Sequence, residues 1–202
     1  EYKKGMMQKI FSQEIRFKDD NGKYYPEWEE KRLGEVADVI MGQSPNSNSY
    51  NNTKEGMPLI QGNADIKGRL TAPQRYTTEP TTVCIVGDLI LTVRAPVGCI
   101  AKSIHKGCIG RGVCIIRSKH NAFLFYYLQK NELLWNRYAQ GSTFTAINSR
   151  DIKNFELIMP TKDEQNKIVN FLSLLDKKIE LEKGQLENIK EFKKGLMQKM
   201  FV

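Results

Sequence analysis

DEQNKIVNFLSLLDKKIELEKGQLENIKEFKKGLMQKMFV, residues 163–202, is the stretch whose periodicity decides the architecture. Starting at Ile168 and stepping alternately by four and three residues gives Leu172, Leu175, Ile179, Glu182, Leu186, Ile189, Lys193, Leu196 and Met200. Eight of these ten positions are apolar, a heptad seam sustained over about four to five repeats. Lys and Glu fill most of the remainder, so such a helix cannot be buried on all sides. At ~1.5 Å per residue it is roughly 55 Å long, more than is needed to cap a small domain. It requires a partner helix, with Ile168, Leu172, Leu175, Ile179, Leu186, Ile189, Leu196 and Met200 as the pairing residues. Glu182 and Lys193 are the polar seam positions that help to set register.

The first residues carry the same text. EYKKGMMQKIF at 1–11 returns as EFKKGLMQKMF at 191–201, with eight of eleven residues identical. A period of 190 residues implies one full unit preceded by the tail of another. With Glu1 in first place, the expectation is a piece of a longer, internally duplicated protein, beginning in the last turns of an upstream copy of this helix. An intact single-repeat protein is the alternative.

Between the two copies lies text of ordinary globular composition, 27% charged and 40% hydrophobic over the chain. There is no apolar run near 18 residues and no export or lipidation motif, which argues against a membrane. Four cysteines in strand-like text show no disulfide framework, so a reducing cytoplasm is expected. The net charge of +8 points towards a polyanionic partner, nucleic acid first. In chain order, residues 13–29 form a polar connector. Leu33, Val36, Val39 and Ile40 suggest a short helix running into a strand that ends at Gly42. QSPNSNSYNNTKEG (43–56) is a polar loop and LIQGN (59–63) a short strand into a turn. TVCIV, DLILTV, GCIAKSI and GVCIIRS within 82–118 are strands, with Gly110-Arg111-Gly112 as a hairpin turn. AFLFYYLQKNELLWNRY (122–138) is a buried helix with Asn121 as its N-cap. QGSTFTAINSRDI (140–152) is a further polar loop and NFELIMP (154–160) a last strand. Thr161 and Glu164 then form a capping box for the long helix. The expected architecture is α+β: a mixed sheet-containing domain over 21–160, a coiled-coil helix over 161–202, and a helix tail with connector over 1–20.

WEEKRLGEVADVIMGQSP, GDLILTVRAPVGCIAKS, IGRGVCII, GSTFTAINSRDIKNFELIMP and DEQNKIVNFLSLLDKKIEL together resemble, in that order, a type I restriction–modification specificity subunit. The GDLILT…APVG run and the passage from Gly-Ser-Thr to Glu-Gln-x-x-Ile are its most specific parts. The resemblance implies target recognition domains joined by paired antiparallel spacer helices. It also implies partners: double-stranded DNA, methylation subunits and, through them, restriction subunits. Methyl transfer and cleavage would reside on those subunits, leaving this polypeptide non-catalytic. The usual family member has two recognition domains and this chain has one, so a bipartite site requires a second copy. An antiparallel homodimer through the long helices meets that need and imposes a palindromic, spaced site.

Sequence readout needs side chains able to make bidentate contacts with base edges: Arg to guanine, Gln or Asn to adenine, Ser or Thr to either. The polar loops supply Gln43, Ser44, Gln61, Asn63, Arg75, Arg94, Arg111, Ser142, Thr143 and Thr145, each of which has a bland reading as a solvated loop residue. Lys102 and Lys106 suit phosphate contacts, which position without specifying. Tyr76 or Phe144 can stack on a base, although an aromatic beside a strand is more often core. Cys99, His105, Cys108 and Cys114 lack a paired C-x-x-C and read as buried strand residues, not a metal site. No phosphate-binding or dinucleotide fingerprint occurs, so no cofactor is expected. Two other classes remain: a helical assembly adaptor without specific DNA readout, and the recognition domain of a single-chain restriction–modification enzyme.

Overall fold

The computed structural model describes residues 1–135 and 146–200. They fall into two compact units: Tyr25–Thr161, and Glu1–Tyr24 with the long helix Lys162–Met200. The first unit contains three sheets. Strands β1 (Glu29–Arg32) and, at the far end of the sequence, β13 (Glu156–Met159) pair antiparallel as a ribbon. Between them run β2 (Asp38–Met41), β3 (Tyr50–Asn51), β4 (Met57–Ile60), β5 (Ile66–Lys67), β6 (Leu70–Thr71) and β7 (Arg75–Thr77). These are followed by β8 (Val83–Cys84), β9 (Leu89–Thr92), β10 (Ile100–Lys102), β11 (Gly107–Ile109) and β12 (Val113–Arg117). One sheet has six strands in the order β2-β12-β9-β10-β6-β5, the other five in the order β3-β7-β4-β11-β8.

The central strands are those with continuous apolar text. Leu89-Ile90-Leu91-Thr92 is buried throughout because β9 lies between β12 and β10. A strand covered on both faces reads as an unbroken apolar run. Ile60, Cys84, Ile90, Ile109, Val113 and Ile115 form one core cluster, drawn from strands of both sheets. Cys114 is fully enclosed, and burial pushes its thiol up to about 12. Asp88 is buried at the start of β9. Its carboxylate accepts two hydrogen bonds from Arg117, at 2.8 and 2.7 Å, and one from the Ile85 N–H at 2.8 Å.

Two helical expectations change. The helix α1 (Tyr2–Phe11) and the short α2 (Leu33–Val36) precede α3, which spans Asn121–Lys130 and buries Phe123 to Leu128 without a break. It stops short of the expected 138 because Asn131 turns back on it. The Asn131 side-chain amide donates to Tyr127 O at 3.0 Å, and a 3-10 turn follows over Glu132–Leu134. Residues 136–138 lie outside the described ones. Asn121 is the first helical residue and not the cap; its amide donates to Gly87 O at 2.8 Å. Gly110-Arg111-Gly112 is likewise no hairpin turn. It carries the chain from β11 in the five-stranded sheet to β12 in the six-stranded sheet.

In the second unit, the long helix begins at Lys162 and, at about 1.5 Å per residue, is close to 58 Å long. Residues 1–24 run antiparallel to its first half. Lys3 pairs with Asp176 at 2.5 Å, Phe17 meets Phe171 edge-on at 5.9 Å, and Arg16 pairs with the buried Glu164 at 3.4 Å. Ile168 and Leu172 are fully buried. Further along, Ile179 (38%), Leu186 (51%), Ile189 (64%) and Leu196 (47%) remain exposed. Leu175 is half-buried, and the Met200 side chain is outside the described set. Among the described residues no helix is long and apolar enough to cross a membrane.

The Asp88 cluster yields a stability test. Asp88→Asn keeps an acceptor for the Ile85 N–H but removes the charge facing Arg117, at an expected cost of about 2 kcal/mol. Asp88→Ala leaves that amide unmet and should cost about 3 kcal/mol, Arg117 being partly solvated. Urea unfolding followed by tryptophan fluorescence measures both. Losses below about 0.5 kcal/mol, the level of an ordinary surface change, would show the cluster to be incidental.

Candidate functional site

Where the two sheets meet at the Gly110–Gly112 turn, a concave pocket of about 630 Å³ opens, and its wall includes Ser44, Tyr50, Gln61, Asn63, Arg75, Arg94 and Arg111. They come from several different local structures. Ser44 follows β2, Tyr50 lies on β3, Gln61 and Asn63 follow β4, and Arg75 opens β7. Arg94 follows β9 on a turn closed by Thr92, whose hydroxyl donates to Pro96 O at 2.7 Å and accepts from the Cys99 N–H at 2.9 Å. Ala146 pairs with Arg94 across an isolated antiparallel bridge. Thus six of the residues singled out in the sequence, separated by up to 67 positions, share one cavity.

Close packing holds the floor. A Cβ on Gly112 would stand 2.1 Å from Gln61 O, and one on Gly110 would stand 3.1 Å from both Gln61 Cγ and Ser44 Oγ. The Gly110 N–H donates to Ile60 O at 2.8 Å, the Val93 N–H to Gly112 O at 2.9 Å and the Gly42 N–H to Val113 O at 3.0 Å. Ser44 Oγ accepts from the Arg111 N–H at 3.1 Å. Gln61 donates its backbone N–H to Asp65 Oδ2 at 2.7 Å and its side-chain Nε2 to Tyr50 Oη at 3.0 Å; Tyr50 in turn donates to Pro45 O at 3.1 Å.

The charged groups are arranged differently. Arg75, Arg94 and Arg111 are exposed, and among the described residues none of their guanidinium groups has an ion pair or hydrogen bond. Among the described residues no carboxylate lines the pocket. An acidic group, Glu132, is occupied elsewhere by Arg69, whose Nη2 donates to it at 2.9 Å, as Asp88 is by Arg117. The pocket is therefore a cationic concavity with amide and hydroxyl groups on its floor.

The remaining candidates lie apart from it. Gln43 is exposed and contributes backbone: its N–H donates to Ile109 O at 3.1 Å and its carbonyl accepts from Thr81. Lys102 sits on β10 with its ammonium 4.2 Å from the Phe125 ring centre and 5.5 Å from that of Tyr126, a cation–π packing on α3. Lys106 is exposed beyond β10, and Tyr76 is half-buried within β7, opposite Asn51 and Pro58. Ser142, Thr143, Phe144 and Thr145 lie outside the described residues. Tyr50, like Ser47, is a lining residue that sequence reasoning passed over. Its only local signal is an aromatic placed alone in a Ser/Asn-rich loop.

With this geometry the known relatives can be compared. The family model for the type I restriction modification DNA specificity domain matches residues 25–191. A putative type I restriction enzyme MjaX specificity subunit of Methanocaldococcus jannaschii is 36% identical over 96% of this chain and 48% of its own length. The crystal structure of the HsdS subunit from Thermoanaerobacter tengcongensis superposes with a TM-score of 0.72 at 32% identity, covering 89% of this chain and 44% of that one. A chain solved in work on complex assembly and conformational transition of the type I R-M system gives 0.73 at 32% identity, over 95% and 50%. The chain spans about half the length of these relatives.

The packing at the turn makes a sharp contrast between two glycines of the pocket. Gly112→Ala pushes a methyl group into a backbone carbonyl that cannot yield and should cost about 3 kcal/mol. Gly62→Ala, in extended backbone with open space around the added carbon, should stay within about 0.5 kcal/mol. Denaturant midpoints compare them, and equal costs would contradict the close approach described.

Proposed function

Because the chain belongs to the family of the type I restriction modification DNA specificity domain, we propose that its sheet unit reads one short segment of duplex DNA and that its long helix holds this reader at a set distance from a second one. The observation that carries the reading is the convergence of Arg75, Arg94 and Arg111 with Ser44, Gln61 and Asn63 on one pocket. Guanidinium forks match guanine O6 and N7 or a phosphate, side-chain amides match adenine, and a hydroxyl serves either. Guanidinium groups without internal partners have their charge available to a polyanion, and the chain's net charge of +8 has the same sign. On this reading residues 21–160 are the recognition domain, 161–202 the spacer helix, and 1–20 the tail and connector of an equivalent upstream helix. The polypeptide carries no catalytic step of its own. Its partners are DNA, methylation subunits and, through them, restriction subunits.

The helix is proposed to pair antiparallel with a second copy of itself. Support comes from α1, which runs antiparallel along the helix with Lys3 beside Asp176 and has its own sequence repeated at 191–201. Applying the 190-residue offset puts Lys193 of a second copy beside Asp176, which centres the pair near Gly184 and covers Ile179, Leu186 and Ile189. In a homodimer the second copy's 191–201 would compete with α1 for one seat. A two-fold pair of identical readers implies a palindromic, spaced site, whereas two different readers in one longer chain imply an asymmetric one.

Two measurements test these proposals. The logarithm of DNA affinity should fall linearly with the logarithm of salt concentration, and the slope should shrink by about 0.9 for each phosphate-contacting arginine changed to Ala. Arg75→Ala, Arg94→Ala and Arg111→Ala are the variants, with Lys190→Ala, on the long helix, leaving the slope unchanged. Absence of DNA association at low ionic strength would rule the reading out. For the helix, sedimentation equilibrium at micromolar concentration should give a dimer that Leu186→Asp converts to monomer, since Leu186 is half-exposed in the single chain and a buried aspartate there is costly. A monomer whose mass the substitution leaves unchanged is incompatible with pairing between copies.

A further inference from the structure

We propose that Gln61 reads an adenine in the major groove and that Tyr50 is the positioning residue that holds its amide the right way round. This rests on the DNA-reading proposal above and names the base that one side chain of that site accepts.

Proton accounting fixes the orientation. Tyr50 Oη lies 3.1 Å from Pro45 O and 3.0 Å from the Gln61 side chain. A peptide carbonyl only accepts, so the single phenolic proton goes to Pro45. The phenol oxygen is then left as an acceptor towards Gln61, which requires the facing atom to be the amide nitrogen and not the amide oxygen. One Nε2–H is thereby used. The other Nε2–H and Oε1 remain, and Oε1 has no hydrogen bond among the described residues, on a half-buried side chain that lines the pocket. One donor beside one acceptor is the complement of adenine, whose N7 accepts and whose N6 amino group donates. Guanine offers two acceptors in the same places, O6 and N7, and would set its O6 against Oε1. The pairing therefore discriminates between the purines.

Gln61 also has its side chain held in place, by the bond to Tyr50, as no arginine side chain of the pocket is among the described residues. Its backbone N–H is tied to Asp65, its carbonyl lies against Gly112 and its Cγ faces Gly110. A side chain ordered before DNA arrives loses less freedom on binding, and its geometry, set in advance, tolerates fewer bases. The three free guanidinium groups suit the less exacting work of holding phosphates or following a guanine.

The test uses the full chain and a library of randomised duplexes. Once a bound consensus is known, each adenine in it is replaced in turn by 7-deazaadenine, which lacks the N7 acceptor, and by purine, which lacks the amino group. At one position both replacements should weaken binding of the unaltered protein about tenfold or more. Gln61→Ala should become indifferent to both at that position and keep its preferences elsewhere. Tyr50→Phe retains the ring but frees the amide to flip, so the adenine-over-guanine ratio should fall several-fold at that position alone. Unaltered protein that tolerates the analogues at every adenine, or Gln61→Ala that keeps the same sensitivity, overturns the assignment. An unchanged ratio in Tyr50→Phe overturns the role given to Tyr50. Thermal unfolding checks both variants, and the analogue series on the unaltered protein decides the matter if either fails to fold. A library that yields no consensus at all defeats the DNA-reading proposal itself, a different result from a consensus in which no adenine depends on Gln61.

Discussion

Gly112 lies so near the Gln61 carbonyl that a single added carbon would stand 2.1 Å from its oxygen. This contact exists because three residues, Gly110 to Gly112, must carry the chain from the last strand shared with the five-stranded sheet into the second strand of the six-stranded one. So short a connection allows no detour, and it draws the ends of β4, β9 and β2 together around it through the Ile60, Gly112 and Val113 carbonyls. Side chains that follow those strands then have little choice of direction. Ser44, Gln61, Asn63 and Arg94 are gathered by the joint, Arg75 arrives on β7 beside β4, and Tyr50 on β3 at the far side of β7.

Electrostatics sorts the charged residues along the same lines. A carboxylate withdrawn from water must be matched by donors, and Asp88 has Arg117 and the Ile85 amide. Glu132 is met by Arg69 and by the Ile100 N–H at 3.0 Å. Arginines at the pocket rim are under no such demand, because water solvates them. Arg75, Arg94 and Arg111, without an internal charge partner among the described residues, share the pocket where the two sheets meet, while Lys102, equally cationic in sequence, is absorbed by the faces of Phe125 and Tyr126.

The second unit follows a simpler rule. Its helix is covered where residues 1–24 lie against it, and Ile168 and Leu172 are buried there. Where that cover ends, the same heptad continues with Leu186 and Ile189 open to water. At roughly 25 cal/mol per Å² of apolar surface, a stripe of this kind favours association over solvation, and the pairing proposed above takes the repeated sequence at the two ends of the chain as its guide.

What the amino-acid sequence determined by itself is periodic or local. The heptad from Ile168 onward, the duplicated ends, the apolar runs of β9 and β12 and the buried face of α3 are legible because helix and strand impose fixed repeats on which positions meet the core. The polar types needed for base readout were legible too, and six of them, Ser44, Gln61, Asn63, Arg75, Arg94 and Arg111, share the pocket. Only the tertiary structure decided that Gly110-Arg111-Gly112 joins two sheets and does not reverse one hairpin, that Asn131 ends α3 early, and that Gln43, Lys102 and Lys106 stand apart from the pocket. Tyr50 belongs to the same class. Its importance lies in two hydrogen bonds, one to a carbonyl five residues back and one to an amide eleven residues on. No repeat or composition encodes these bonds, because they depend on where β3 and β4 lie relative to each other, and strand pairing is set by the whole sheet and not by the loop that carries the residue.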